Sequence, residues 1–554
     1  MIQQILFFFA SLILLLLQLI TYQLLVQSYN LQIIEYMTAI KIVQKWVEQE
    51  TDTSGSLFQP CINCGYELAI QKNPIYCLKS DLYKILHPKV VLEDSYIFRD
   101  YGGNDLARSI IRKQLFDANP NFTQNTPLEQ EQYIQLDLRT TVLYLYSKTY
   151  LRTHFFGKEA GCLFQKYMHV PGQDELALKS LQSLNLRNYL IQLNHVNAST
   201  ECQNEATFSK KSYIMTDETD CKLFFSILDS PEYQNKFKSE GLQFIYKTNQ
   251  HLGKGVLLVD KENEQLIRKQ YNNGSFCGKN NQKVIIQEYL KNPYLYKGHK
   301  MEFRCYFQIA STNPPILFGY KKALIKQCAL KFNLSDFSKE AHVCNTAITK
   351  SHKEETKQQD DDFYIDWNLE ELQELLIEEG FIKSKNWLHI HLMPQIQIKL
   401  FHLFNSARNK LFIDSRVGEF FGVDFILDQN LQLWIFECNR NPNFLVVTEG
   451  RKEKFNQLIP EMIQLQLELV RSRFIRVQKF IKQKLIPSLR QKFFQSQQEL
   501  LKHEFLIIFQ DKFEDQTYSN IGSQVYNIFQ IIHLSSCFRE LQLLNFLNQE
   551  NQEI

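Results

Sequence analysis

The 554-residue sequence lacks an excess of charge of either sign: 62 Lys and Arg stand against 60 Asp and Glu, a formal charge of +2. A global electrostatic partner such as nucleic acid is therefore not indicated, and an acidic partner must be met by a local patch. Regular cysteine spacing is also absent. The 12 Cys are scattered, which predicts free thiols in a reducing compartment rather than a disulfide scaffold. No Lys or Arg precedes Lys41, and no small-residue cleavage site is convincing, so the apolar run Ile5–Val26 lacks the flanks of an ordinary secretion signal. That run is long enough to cross a bilayer at roughly 20 residues per span. It fits a signal anchor, a secretion signal or a helix packed on the protein. Hydrophobic residues at 44% and charged residues at 22% mark a globular chain.

Along the chain, residues 1–30 form the apolar segment and 31–154 a variable region of helix and loop. Cys61, Cys64, Cys77 and His87 could supply a tetrahedral zinc site there or be plain thiols. Residues 155–240 hold Gln165-Lys-Tyr-Met-His-Val-Pro-Gly172 and a helical run at Asp174–Leu190. From 241 to 325 the pattern changes to strands at Leu242–Tyr246, Val256–Val259, Val284–Ile286, Cys305–Ile309 and Ile316–Phe318. Residues 326–470 carry a polar insertion (Ser351–Asp362), helices near Leu369–Glu379 and Gln395–Lys410, and strands at Gly422–Leu427 and Leu433–Glu437. The stretch 471–554 reads as mostly helical. Its basic residues Arg471, Arg473, Arg476, Lys479, Lys482, Lys484 and Arg490 fit either an acidic docking surface or a helix packed on the core.

Three features carry chemistry. The turn Lys247-Thr-Asn-Gln-His-Leu-Gly253-Lys254-Gly255 could bring backbone N–H groups and a lysine to a phosphate, although such a turn is more often only a turn. Lys300-Met-Glu302-Phe-Arg304 places three charges on one strand face, because alternate strand residues point the same way. Such a face is either a solvated edge or paired with a ligand. Phe421-Gly-Val-Asp424 and Leu433-Trp-Ile-Phe-Glu437-Cys-Asn439 bring two carboxylates and an amide oxygen from neighbouring strands towards one point, a donor set suited to Mg²⁺.

These blocks resemble the tubulin–tyrosine ligase-like family over residues 160–470. The match runs through Gln165–Leu190, the Lys247 loop, VIIQEYLKNPYLYKGHKMEFR, ILFGYKKALIK, AHVCNTAI and FGVDFILDQNLQLWIFECNRNP. The resemblance implies an α+β chain with an ATP-grasp fold, a small N-terminal domain and a helical C-terminal extension. It further implies that Lys247, Gly253, Lys254 and Gly255 hold phosphates, and that Gln287 and Glu288 with the backbone of Tyr289 and Leu290 border adenine. Lys300, Arg304, Lys326 and Lys179 would face ATP and the reacting carboxylate. Asn345 would sit beside the nucleotide or amino acid, and Asp424, Glu437 and Asn439 would bind Mg²⁺.

The sequence departs from the family pattern at several points. Glu288 replaces the usual Lys, Glu302 the usual Asp, Lys326 an Arg and Cys344 a Thr. The implied activity is ATP-dependent addition of an amino acid, glycine before glutamate, to carboxylates of a tubulin tail or a similar acidic tail. The alternatives are a tubulin-binding pseudoligase and a small-molecule ligase. The implied location is the cytosolic face, on microtubules or in a cilium, with membrane contact through residues 5–26. Asn121 and Asn197 stand in Asn-x-Ser/Thr contexts, and glycans there would contradict that location.

Overall fold

The computed structural model describes, in the main, residues 32–43, 74–93, 96–99, 141–145, 162–249, 255–277, 284–345, 368–440, 448–491 and 529–531. A small parallel sheet comes first, β1 (Tyr96–Arg99), β2 (Thr141–Leu145) and β3 (Lys166–Tyr167), in that order. Helices α1 (Lys179–His195) and α2 (Thr200–Ala206) follow. The helical run expected at Asp174–Leu190 is broken: a short helix ends at Ala177, and Leu178 is extended before α1 begins at Lys179.

The next unit is an antiparallel sheet of β4 (Ser212–Ile214), β5 (Phe244–Thr248), β6 (Val256–Leu258) and β7 (Val284–Glu288), in the order β4-β7-β5-β6. On one face Tyr213, Phe244, Tyr246, Val284 and Ile286 pack against α3 (Glu218–Asp229), α4 (Pro231–Glu240) and α5 (Lys261–Asn272). Period-two alternation therefore sends Lys247 and Gln287 to the opposite face.

A six-stranded antiparallel sheet completes the frame, in the order β12-β11-β9-β10-β13 with β8 paired to β9. Its strands are β8 (Leu295–Tyr296), β9 (His299–Thr312), β10 (Pro315–Gln327), β11 (Glu419–Leu427), β12 (Leu433–Arg440) and β13 (Phe529–Ile531). Between β10 and β11 lie α6 (Lys339–His342), α7 (Leu369–Glu378) and α8 (Met393–Ala407), and α9 (Glu449–Phe480) follows β12. Met301, Phe303, Cys305, Phe307, Val423 and Phe425 share a core with α8. The other face is split. Tyr306 and Phe420 stack at 5.3 Å beneath α9, and the near end of the same face is charged.

The β9–β10 hairpin is much longer than the runs Cys305–Ile309 and Ile316–Phe318 suggested, because its charged positions are buried inside the sheet. β9 lies between β11 and β10, so the solvated-edge reading of Lys300–Arg304 does not hold. The C-terminal region is not wholly helical either, since β13 adds a strand beside β10. Helix α9 begins at Thr448, whose hydroxyl accepts from the Arg451 N–H. Arg473 is buried and donates to the Leu163 and Ser415 carbonyls, so the start of the basic stretch packs on the core.

The free-thiol expectation is overturned. Cys221 is bonded to Cys277 and Cys328 to Cys344, and Cys162 and Cys202 are also disulfide-bonded. The first pair joins residues 56 apart in sequence, a separation that leaves no recognisable spacing motif. Closing a loop of that length contributes about 4 kcal/mol on a chain-entropy argument. Among the described residues no helix is long and apolar enough to cross a membrane. Most of residues 5–26 lie outside the description, as do the side chains of Cys61, Cys64 and Cys77 and most of Ser351–Asp362.

Candidate functional site

The charged end of the large sheet is a row of side chains fixed by strand register. Arg304 on β9 stands opposite Asp424 on β11, which stands opposite Glu437 on β12, while Lys326 on β10 stands opposite Glu302. Arg304 donates to Asp424 through Nε and Nη2, each at 2.7 Å, and Lys326 Nζ reaches Asp424 Oδ1 at 2.8 Å. Burial would push the Asp424 carboxyl up, but the two cations outweigh it and hold it down at about 2. Asn439 Nδ2 lies 3.5 Å from Asp424 Oδ2.

Gly422 leaves the space that Arg304 fills. A Cβ there would come within 2.9 Å of Pro442 Cβ and 3.1 Å of Arg304 Cδ.

Lys179 enters from the N-terminal unit. A lysine at the first position of a helix opposes the helix dipole, and here Glu437 compensates it, with Nζ 2.8 Å from Oε1. The extended Leu178 is what turns α1 so that it starts at this point. The Glu437 carboxyl is partly buried, yet Lys179 holds it below the usual range.

The register of β12 slips beside the site. Asp424 pairs with Glu437 but Phe425 with Ile435, so Phe436 is the extra residue of a β-bulge. Consecutive residues Phe436 and Glu437 therefore both serve the site. The Phe436 ring centroid lies 3.8 Å from Lys247 Nζ and 5.2 Å from Lys300 Nζ, which joins the two sheets.

Lys247 is buried and donates to Gln287 Oε1 at 2.6 Å. Burial, reinforced by Lys179, lowers its amine to about 7. Gln287 in turn donates to Ser209, Ser212 and the Lys210 carbonyl. Lys300 donates to the His342 carbonyl at 2.7 Å and lies 3.4 Å from Glu302, and burial lowers its pKa as well. Tyr289 is bonded to His342 Nδ1 at 2.7 Å, and its backbone N–H goes to Gln243.

A sequence profile of the tubulin-tyrosine ligase family matches residues 162–473, more than half of the chain. The chain belongs to the tubulin-tyrosine ligase family. Its place there gives this α+β arrangement of helices and antiparallel sheets an ATP-grasp-like fold. Among similar proteins, the inactive polyglycylase TTLL10 of Homo sapiens is 30% identical over 210 residues, 36% of this chain and 29% of that protein. The protein polyglycylase TTLL10 of Macaca fascicularis is 30% identical over 218 residues, 38% of this chain and 33% of that one. The tubulin polyglutamylase TTLL7 of Xenopus tropicalis is 24% identical over 300 residues, 51% and 29% respectively. The aligned parts cover about a third of these relatives' own length.

Against the family's site pattern, the structure brings Lys179, Lys247, Gln287, Lys300, Arg304, Lys326, Asp424, Glu437 and Asn439 together. Gly255 closes the β5–β6 turn, where its carbonyl accepts from Thr248. Gly253 and Lys254 lie outside the described residues. Glu288 ends β7, partly exposed, with its N–H on the Lys211 carbonyl. Leu290 is buried just beyond it, and Asn345 follows Cys344 with its N–H on Val343.

No cluster of three His, Cys, Asp or Glu occurs among the described residues, so an expected metal would rest on two carboxylates and an amide. That set fits Mg²⁺, which takes few protein ligands. Glu302, buried on β9, is ion-paired with Lys300 at 3.4 Å and is not counted among these donors. Phe436 and His342 were missed by sequence reasoning. The one available signal was the step from Leu433 and Ile435 to Cys438, a gap of three where alternation needs two.

Proposed function

We propose that this chain is an ATP-dependent ligase that joins an amino acid to side-chain carboxylates of an acidic protein tail. One observation carries the reading: Lys179, Arg304, Lys326, Asp424, Glu437 and Asn439 converge on one partly enclosed sheet face, opposite a buried Lys247. A cluster of this kind suits charge neutralisation at a transferring phosphoryl group.

In the proposed reaction a carboxylate oxygen of the acceptor attacks the γ-phosphorus of ATP, ADP leaves, and an acyl-phosphate forms. The amine of the incoming amino acid then attacks the acyl carbon, phosphate leaves, and an amide bond remains. Asp424, Glu437 and Asn439 would hold Mg²⁺, which would supply charge neutralisation at the phosphates. Arg304 and Lys326 would turn from Asp424 towards the acceptor carboxylate and the phosphoryl oxygens. Lys247 would meet a phosphate. The Tyr289 carbonyl and the Leu290 N–H would border the base, because the Tyr289 N–H is already bonded. Lys300 would orient the β9 face through the His342 carbonyl.

Glycine is favoured over glutamate as the added amino acid, supported by the relatives named as polyglycylases. Tubulin, the substrate in another relative's name, supplies the first acidic peptides to try as acceptors. The human relative named inactive keeps the pseudoligase reading in view, since it is as similar to this chain as the macaque relative named as a polyglycylase. The test is mass spectrometry of acidic tail peptides incubated with the full chain, Mg-ATP and a mixture of glycine, glutamate and tyrosine. An added glycine or glutamate mass supports the ligase. Unchanged peptides from a chain that binds ATP would leave the pseudoligase.

A further inference from the structure

The cysteines follow a rule. Six described cysteines are disulfide-bonded, and among the described side chains only Cys305 and Cys438 are free. Those two cannot reach each other. Cys305 on β9 and Cys438 on β12 each pair with Val423 on the intervening β11, so they stand two strand spacings apart, about 10 Å. A disulfide needs Cα atoms within about 7 Å. Both thiols are also buried, and burial raises their pKa and keeps them inert.

The bonded pairs lie at places that matter. Cys221–Cys277 fastens α3 to the segment after α5, where the Cys277 N–H also donates to Met215. Cys328–Cys344 fastens the end of β10 to the residue before Asn345. The Cys328 N–H donates to the Lys300 carbonyl, and Lys300 Nζ donates to His342, two residues before Cys344. The disulfide thus pins the loop that frames the buried Lys300.

Stable bonds of this kind persist in oxidising compartments and are rare in the cytosol. The surface agrees with such a setting. Asn197-Ala-Ser199, Asn273-Gly-Ser275 and Asn333-Leu-Ser335 are acceptor sequences for N-glycosylation, and all three asparagines are exposed. Residues 5–26 supply an apolar run of the length that membrane targeting requires.

We infer that this domain matures and acts in an oxidising compartment of the secretory route, N-glycosylated at Asn197, Asn273 or Asn333, and that its acceptor is an acidic protein tail displayed there. Each disulfide forms by exchange with an oxidised dithiol carrier of that compartment: two thiols lose two protons and two electrons, and the carrier's disulfide is reduced to two thiols. Only the acceptor clause rests on the ligase reading.

The test uses the full chain in a eukaryotic host, alkylated in intact cells and digested without reduction. The expected result is linked peptides for Cys221–Cys277 and Cys328–Cys344, an endoglycosidase-sensitive mass that falls from the N121Q variant to the N121Q/N197Q/N273Q/N333Q variant, and protection from protease added to sealed vesicles. Alkylated thiols at these four cysteines, an unglycosylated chain, or a protease-accessible domain would each overturn the inference. These outcomes are read without any ligase assay. A correctly oxidised, glycosylated chain that adds no amino acid to acidic peptides would instead count against the ligase reading alone.

Discussion

The two sheets that frame the site handle buried charge in opposite ways. On the large sheet, Asp424 is held by Arg304 and Lys326, and its carboxyl stays charged down to about 2. On the small sheet, Lys247 has a neutral amide for its hydrogen-bond partner, and burial brings its amine to about 7. One face is balanced within itself, whereas the other holds a cation that a bound anion would complete. On the proposed reading, the cost of burying Lys247 serves anion binding, and the ionic row on β9–β12 would be rearranged rather than created when substrate arrives.

Breaking the balanced row should have the largest effect. Asp424→Asn leaves Arg304 and Lys326 facing an uncharged group, so ligation should fall by about 10³-fold or more. Unfolding stability should drop by about 3–5 kcal/mol, as for a buried pair that loses one partner. Glu437→Gln separates the two consequences, since Glu437 is less enclosed than Asp424. Activity should still fall steeply there while the thermal midpoint moves less. Wild-type turnover in either variant, read by peptide mass spectrometry, would remove the assigned role.

Gly422→Ala sharpens the geometric side of the comparison. The added methyl meets Pro442 and Arg304 at 2.9 and 3.1 Å. Turnover should fall about 10–100-fold through displacement of the guanidinium, at a stability cost of about 1–3 kcal/mol. Unchanged kcat would mean that the Arg304 position is not critical.

The small sheet makes a pH prediction of definite sign. Lys247 titrates near 7 in the folded chain, against about 10.5 when unfolded. Between those values the unfolded chain binds the extra proton, so stability should rise as pH increases from about 7 towards 10.5 and be lowest below 7. An anion bound at Lys247 should reverse the depression. Calorimetry of ATP binding at pH 8 in buffers of different ionisation enthalpy should then record uptake of close to one proton, fading below pH 6. Lys247→Met should abolish that uptake and stabilise the free chain at pH 7. The smallest effect is expected at Phe436→Leu, which removes a ring shared by two lysines and should weaken ATP binding by about 2–30-fold.

Much of the large sheet was legible because strand alternation is local. Lys300, Glu302 and Arg304 had to share a face, and Asp424 and Glu437 had to meet if their strands paired across the Asp428 turn. The hairpin's true length was hidden, since buried charges read as strand ends. What lay beyond reach depended on distant partners or on single-residue irregularities. Nothing near Leu178 announces that the helix restarts there to bring Lys179 to Glu437. The bulge at Phe436 shows only as a skipped beat in the apolar pattern, and the carbonyl of His342 has no signature at all. Cys221 and Cys277 find each other only once α3 and α5 are stacked on the small sheet. The free-thiol reading drawn from scattered cysteines failed for that reason.

The most direct test of the central claim is a single-turnover reaction with an acceptor peptide whose glutamate carboxylates carry ¹⁸O. If a carboxylate oxygen attacks the γ-phosphorus, one ¹⁸O must leave with inorganic phosphate for every amide formed, and Asp424→Asn should show neither product. Amide formation that releases phosphate free of ¹⁸O would contradict the account.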